Sequence, residues 1–210
     1  MATTFDKPAG VPVFPPHADP GGDCVLARLI AASPQRAFQA WPTGFEGGIA
    51  HRLDTDTSGA LLVADDVAEL AALRLAFASG VLRKRYRLRS RGEVPWADNV
   101  CELEIGHDAR HRGRMVVRRG RDTPHRGRWF SAHTEFRSVG GGLWDVVITT
   151  GVTHQIRVHA AFVGLPIVGD RRYGGGPPLD EGPALCLHHV GLSGPGVATT
   201  PVVSPLWARG

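Results

Sequence analysis

Four consecutive residues, His51-Arg52-Leu53-Asp54, set a base, a cation and a carboxylate around one apolar side chain. Thr55-Asp56-Thr57-Ser58-Gly59 then reads as a turn, and Ala60-Leu61-Leu62-Val63-Ala64 as a short buried strand. A carboxylate held behind an apolar residue at the mouth of a strand is arranged for nucleophilic work if a cation and hydrogen-bond donors keep it ionised. Arg52 is the nearest cation in sequence. The structural alternative is a plain turn closing a strand.

Elements that must position these groups come from a chain of 210 residues, 42% hydrophobic, which suits one domain or two small subdomains sharing a core. Lys and Arg number 24 against 20 Asp and Glu, and the pI near 9.4 favours a polyanionic partner. Three cysteines, Cys24, Cys101 and Cys186, lie far apart with no Cys-x-x-Cys pair, which points to a reducing compartment and no thiol metal site. No basic-then-apolar leader opens the sequence and no apolar run reaches the ~18 residues of a membrane span. The expectation is a cytoplasmic monomer with no metal and no membrane contact. His154 and His159 are five apart rather than four, and the His188-His189 doublet has no third ligand, so an Asp/His metallohydrolase is disfavoured.

In chain order, Phe5 to Pro16 alternates apolar residues with prolines and reads as an extended edge or loop with a turn at Pro8 and Gly10. Asp23 to Ala32 reads as a helix capped by Asp23. Asp66 with Glu69 opens a second helix that carries Val67, Leu70, Leu73, Ala76 and Phe77 at helical spacing and stops at Gly80. Arg83 to Ser90 reads as a strand with Arg83, Arg85, Arg87 and Arg89 on one face and Lys84, Tyr86 and Leu88 on the other. A solvated edge strand fits that arginine face equally well.

From His107 to Arg128 the chain packs eight arginines into 22 residues, with His-Arg-Gly-Arg at His111–Arg114 and again at His125–Arg128. Guanidinium groups on a Gly-containing backbone suit phosphate contacts, so Arg112, Arg114, Arg126 and Arg128 are candidate RNA-binding residues on a basic hairpin insertion at about 107–128. The alternative is a solvated hairpin. Met115–Val117 and Phe130–Val139 read as strands flanking it. Trp144–Thr149 is a β-branched strand, and Thr153–Val163 a helix with Thr153 as N-cap and Gly164 as stop. Arg157 sits in the first turn of that helix, where a cation opposes the dipole and needs a carboxylate partner. Leu185–Leu187 reads as a last core strand.

The stretch from His51 to Ala64 closely resembles the catalytic motif of the RNA pseudouridine synthases of the RluA type, in which the aspartate of His-Arg-Leu-Asp is the nucleophile. Asp6-Lys7-Pro8-Ala9-Gly10 is similar to the opening motif of that family, Lys84-x-Tyr86 to its second, and the strand and helix entry through Arg157 to Tyr173-Gly174 to its third. A Leu-His pair, here Leu187-His188, is shared as well. The resemblance covers most of the chain. It implies a single catalytic domain over residues 1–210, an α+β fold with a mixed, mainly antiparallel sheet, flanking helices and a central cleft. It implies an isomerase that converts uridines of ribosomal or transfer RNA to pseudouridine without a cofactor, with Asp54 as nucleophile, Tyr86 against the target base and Arg157 paired with Asp54. That pairing would bring the Asp54 carboxylate and the Arg157 guanidinium within about 4 Å. Arg52 would fill the space left by the extruded base, with Lys84 and His154 as further RNA contacts. Where the family commonly has a basic residue and a larger aliphatic, this chain has Val152 and Ala160; the first change bears on affinity rather than chemistry. The expectation is a catalytic domain without the N-terminal S4-like RNA-binding module that many relatives carry. The rival reading is a non-catalytic RNA-binding or ribosome-assembly protein on the same fold, which the joint presence of Asp54, Tyr86 and Arg157 argues against.

Overall fold

Short β-branched runs punctuated by glycine and proline become eleven strands and three α-helices among the described residues of a computed structural model, residues 2–180, 182–200 and 202–209. In chain order these are β1 (Thr3–Lys7), α1 (Val25–Ala32), β2 (Ser58–Val63), α2 (Val67–Ala78), β3 (Arg83–Arg89), β4 (Asp98–Cys101), β5 (Ile105–Asp108), β6 (Met115–Val117), β7 (His125–Phe130), β8 (Thr134–Gly140), β9 (Leu143–Ile148), α3 (Gln155–Phe162), β10 (Leu187–Gly194) and β11 (Val197–Ala198). The chain divides into two units, Met1–Arg83 with His188–Ser204 and Lys84–Leu187 with Pro205–Gly210. No helix among the described residues is long and apolar enough to cross a membrane.

In the first unit β2 lies between β1, antiparallel with Phe5 opposite Leu61, and β10, parallel with His188 opposite Ser58. Helix α2 closes this sheet through Leu70 and Leu73, which pack with Ala50, Leu62, Ala64, Leu82 and Leu192. Its start follows the sequence: Asp66 accepts from the Glu69 amide at 2.8 Å, and the Glu69 carboxylate accepts from the Asp65 amide at 2.9 Å. Helix α1 departs from expectation. Cys24 caps it, its Sγ accepting from the Ala27 amide, while Asp23 pairs with Arg28 instead.

In the second unit β3, β9, β8 and β4 form an antiparallel sheet in that order, with Tyr86 opposite Val146 and Arg87 opposite Asp145. The two faces of β3 divide as expected. Lys84, Tyr86 and Leu88 are buried, Arg83 and Arg85 are exposed, and Arg87 is half-buried against Asp145 at 2.7 Å. The basic segment lies in a three-stranded sheet, β6-β5-β7. Met115–Val117 is the expected strand, and it pairs with β5 in a hairpin whose turn carries Arg110, Arg112 and Arg114, while the second His-Arg-Gly-Arg, expected outside any strand, lies inside β7. Ile105, Met115 and Val117 bury its inner face with Ala132, Val158 and Tyr173, and Val152 packs at the edge of this core. The strand expected at Leu185–Leu187 instead begins at Leu187 and runs through both histidines to Gly194, with the short β11 after it.

Candidate functional site

Asp54 stands in a turn that the start of the chain holds from outside. The Asp54 carbonyl accepts from the Thr57 amide at 3.1 Å, closing the turn, and the Gly10 amide donates to the Thr55 carbonyl at 3.0 Å. Lys7 is fully buried, and its ammonium donates to the carbonyls of Val11, Pro8 and Thr55 at 2.6, 2.9 and 2.8 Å. All three of its donors are thereby used. Burial pulls the Lys7 pKa down to about 8, with the negative charge of Asp56 and Asp54 pulling the other way. A cation thus sits beneath the Asp54 turn.

The rest of the motif is packed into the unit. Leu53 and Thr57 are buried, Asp54 is half-buried, and Arg52 is exposed. His51 Nε2 accepts from the Leu62 amide at 3.0 Å, which ties the motif to β2 and assigns the ring its Nδ1–H tautomer. Gly59 has φ of +115°, and a Cβ there would lie 2.1 Å from the His189 carbonyl oxygen, so only glycine lets β2 pass β10 at this point. Ser58 Oγ meets His188 Nδ1 at 2.9 Å and His189 Nδ1 meets the Ala60 carbonyl.

In the second unit β3 supplies Tyr86 and Lys84, both nine-tenths buried. Burial pushes the Lys84 pKa down to about 8, and a Cβ on Gly151 would come within 3.0 Å of its Nζ. Lys84 therefore belongs to the interior face beside Tyr86 rather than to exposed surface.

Helix α3 carries Arg157 in its first turn. The expected Thr153 cap is replaced by His154, in the left-handed region at φ 55° and ψ 18° and making no side-chain cap bond. A non-glycine residue there stores strain of about 1 kcal/mol or more, which clusters at functional sites. Gln155 takes over the capping: its Oε1 accepts from the Val152 amide at 3.1 Å and the Thr150 hydroxyl at 2.9 Å, and its Nε2 donates to the His133 carbonyl and Thr134 Oγ1. Every polar atom of this buried amide is satisfied.

Arg157 has the carboxylate its position requires. Its Nε and Nη2 donate to the two oxygens of Asp170 at 2.7 and 2.9 Å, and the Asp170 side chain is fully buried. Asp170 Oδ1 also accepts from the amides of Arg172 and Tyr173. Tyr173 lies under the Arg157 guanidinium, 5.3 Å from ring centroid to carbon, and its hydroxyl meets His154 Nδ1 at 2.8 Å.

The basic sheet shows its arginines in two roles. Arg112, Arg126 and Arg128 are exposed, with Arg126 Nε donating to the Asp108 carbonyl at 2.9 Å and Arg128 lying over the Phe130 ring at 4.7 Å. Arg114 is half-buried, 4.0 Å from the Asp108 carboxylate and 5.5 Å over the Tyr173 ring. Arg118 pairs with Glu104. Burial favours protonation of Asp108, but hydrogen bonds from the Arg110 and His111 amides and the His111 ring outweigh it and hold the carboxyl below its usual range. Among the described residues no three His, Cys, Asp or Glu side chains form a metal-ligand set.

Sequence reasoning missed Lys7, Asp170, Tyr173 and Gln155 as parts of these constellations. The signal for Lys7 was the Asp-Lys-Pro-Ala-Gly string, and that for Asp170 and Tyr173 was the third motif, where both were counted without a role.

The family profile described as RNA pseudouridylate synthase matches residues 3–162. An uncharacterized RNA pseudouridine synthase of Chloroflexus aurantiacus is 37% identical over 170 residues, 80% of this chain and 51% of that protein. Ribosomal large subunit pseudouridine synthase D of Xanthomonas campestris pv. campestris is 37% identical over 187 residues, 85% and 50% of the two chains. The chain thus spans about half the length of these curated relatives. Human RNA Pseudouridylate Synthase Domain Containing 4 shares the fold, with a TM-score of 0.72 at 21% identity over 98% of this chain and 86% of that one. Human RNA Pseudouridylate Synthase Domain Containing 1 gives 0.71 at 23% identity over 97% and 79%. By sequence and by α+β fold, the chain belongs to the RNA pseudouridylate synthase family of the RluA type.

Proposed function

We propose that the chain is an RNA pseudouridine synthase that isomerises specific uridines in structured ribosomal or transfer RNA, with Asp54 as the nucleophile. The observation that carries this reading is the family match over residues 3–162, which includes Asp54 in its anchored turn together with Tyr86 and Arg157. The reaction breaks the N1–C1' bond, rotates the uracil and forms C5–C1'; C5 loses its proton and N1 gains one. Atoms and electrons balance with no oxidant, reductant or group donor.

The target uridine must leave its stack, at a cost of a few kcal/mol. Tyr86, with an apolar ring and a hydroxyl, then stacks on the uracil, and Lys84 on the same face contacts the extruded nucleotide. Arg157 holds Asp54 ionised: a guanidinium carries five donors, so the Asp170 fork is compatible with a second carboxylate on the Nη1 edge. Arg52 fills the vacated stack, and His154, Arg112, Arg114, Arg126 and Arg128 hold the surrounding RNA. The chain acts as a single catalytic domain, working in the cytoplasm as a monomer. Replacement Asp54→Ala tests the reading: it should abolish pseudouridine formation while leaving RNA affinity intact, and an unchanged yield would refute it.

A further inference from the structure

One side chain, Tyr173, joins three groups of the second unit that the proposed reaction uses, His154, Arg157 and Arg114. Its hydroxyl accepts from the Met115 amide at 2.9 Å, at the start of β6, and lies 2.8 Å from His154 Nδ1. A phenol that accepts from an amide keeps one proton to give, and the His154 Nδ1 is the acceptor within reach. This assigns His154 as the neutral Nε2–H tautomer, with its edge against the tyrosine ring at 5.6 Å and 80°. The ring of Tyr173 supports Arg157 on one side of the network and Arg114 on the other, at 5.3 and 5.5 Å. Its backbone amide is held by Asp170 Oδ1, the oxygen that also receives Arg157 Nη2. Arg172, one residue earlier, reaches back to the Gly113 carbonyl in the β5–β6 turn that also carries Arg112. Burial raises the Tyr173 pKa to about 12, so the hydroxyl keeps its proton over the working range.

Resting on the synthase reading, we propose that Tyr173 is a positioning residue for the reaction: it fixes the tautomer of His154, packs its ring against the Arg157 guanidinium that Asp170 orients, and registers both against the arginine-rich turn that docks RNA. The physical requirement is positional, since small misplacements of an oriented charge cost large factors in rate while leaving ground-state binding alone. Removing one hydroxyl loosens both ends of the link and leaves the ring in place.

The test is Tyr173→Phe, assayed on RNA labelled with tritium at uridine C5 and taken from cells lacking the gene, since the new C5–C1' bond expels that hydrogen. The single-turnover rate at saturating RNA should fall about tenfold with KM within about twofold of wild type. Nitrogen NMR of the histidines should show the His154 ring leave its Nε2–H form in the variant, a change that lost packing alone would not produce. Arg172→Ala, which cuts the tie to Gly113 and spares the hydroxyl, should lower the same rate severalfold, and keeps the arm link testable if Tyr173→Phe folds poorly. A wild-type rate in Tyr173→Phe, or a rise in KM alone, would overturn the proposal while wild-type activity upholds the synthase reading. No tritium release by the wild-type chain would overturn both.

Discussion

Arg157 and Asp170 form a two-point fork, Nε to Oδ2 at 2.7 Å and Nη2 to Oδ1 at 2.9 Å, with the carboxylate fully buried and the guanidinium nearly so. A bidentate pair fixes the guanidinium plane as well as its charge. Asp170→Asn removes one half of the buried pair and strands the other, so it should destabilise the fold by about 3–5 kcal/mol. Arg157→Lys keeps the charge but cannot make the fork, and should lower the rate of pseudouridine formation at least tenfold with a smaller loss in stability. Urea unfolding and single-turnover kinetics on both variants check this; equal stability of Asp170→Asn and wild type would refute it.

Lys7 is the corresponding anchor in the first unit, its three N–H groups spent on three carbonyls, one of them Thr55 beside Asp54. Lys7→Met preserves volume and leaves those carbonyls without their donor, each a cost of about 1 kcal/mol or more. The variant should unfold at lower urea and lose rate through the displaced Asp54 turn, with RNA affinity unchanged in filter binding.

On the proposed reading the exposed arginines serve RNA affinity. Arg112→Ala, Arg126→Ala and Arg128→Ala should each raise KM for RNA and reduce the slope of log affinity against log salt by about 0.7–0.9, with the rate at saturating RNA unchanged. Arg114, which lies over Tyr173, should instead affect both KM and rate. Titrations of RNA binding between low and moderate salt distinguish the two classes.

His188 gives the fold a pH dependence. Burial in β10 pushes its pKa down from 6.5 to about 4. The unfolded chain therefore takes up this proton first as pH falls, so stability is full above pH 6.5, declines through the interval and has lost the whole contribution below pH 4. His188→Gln should flatten the stability profile across that interval, measured by urea unfolding at a series of pH values; an unchanged slope would count against burial as the cause.

Periodicity made much of this legible. The alternation of Arg83–Arg89 and the stripe of Leu70, Leu73, Ala76 and Phe77 on α2 each report a single burial face, while the unbroken apolar run of β2 reports burial on both; Val67, at the start of the α2 stripe, is exposed. The His51–Asp54 string pointed to the family for the same reason, since its parts are adjacent in the chain. Three features were hidden because their causes are distant. Lys7 looks like a surface lysine until the Thr55 carbonyl, 48 residues on, is brought to it. Thr153 is the better cap by residue type, yet Gln155 satisfies the Val152 amide from within the helix and frees His154 to adopt the left-handed conformation. Strand β7 is disguised because Arg126 and Arg128 sit on its outer face, so composition reads as a loop while Trp129 packs on Gly106. Glu104 and Asp108, the acids that restrain this sheet, lie just upstream of the arginines they hold.

The proposed function rests on Asp54 performing the chemistry. The most direct measurement maps pseudouridines in total RNA from cells lacking the gene, complemented with either the wild-type chain or Asp54→Ala. At least one ribosomal or transfer RNA site should vanish on deletion, return with the wild-type chain and stay uridine with Asp54→Ala, although the variant still binds the RNA. A site restored equally by Asp54→Ala would contradict the catalytic role, and a deletion that removes no site would contradict the function.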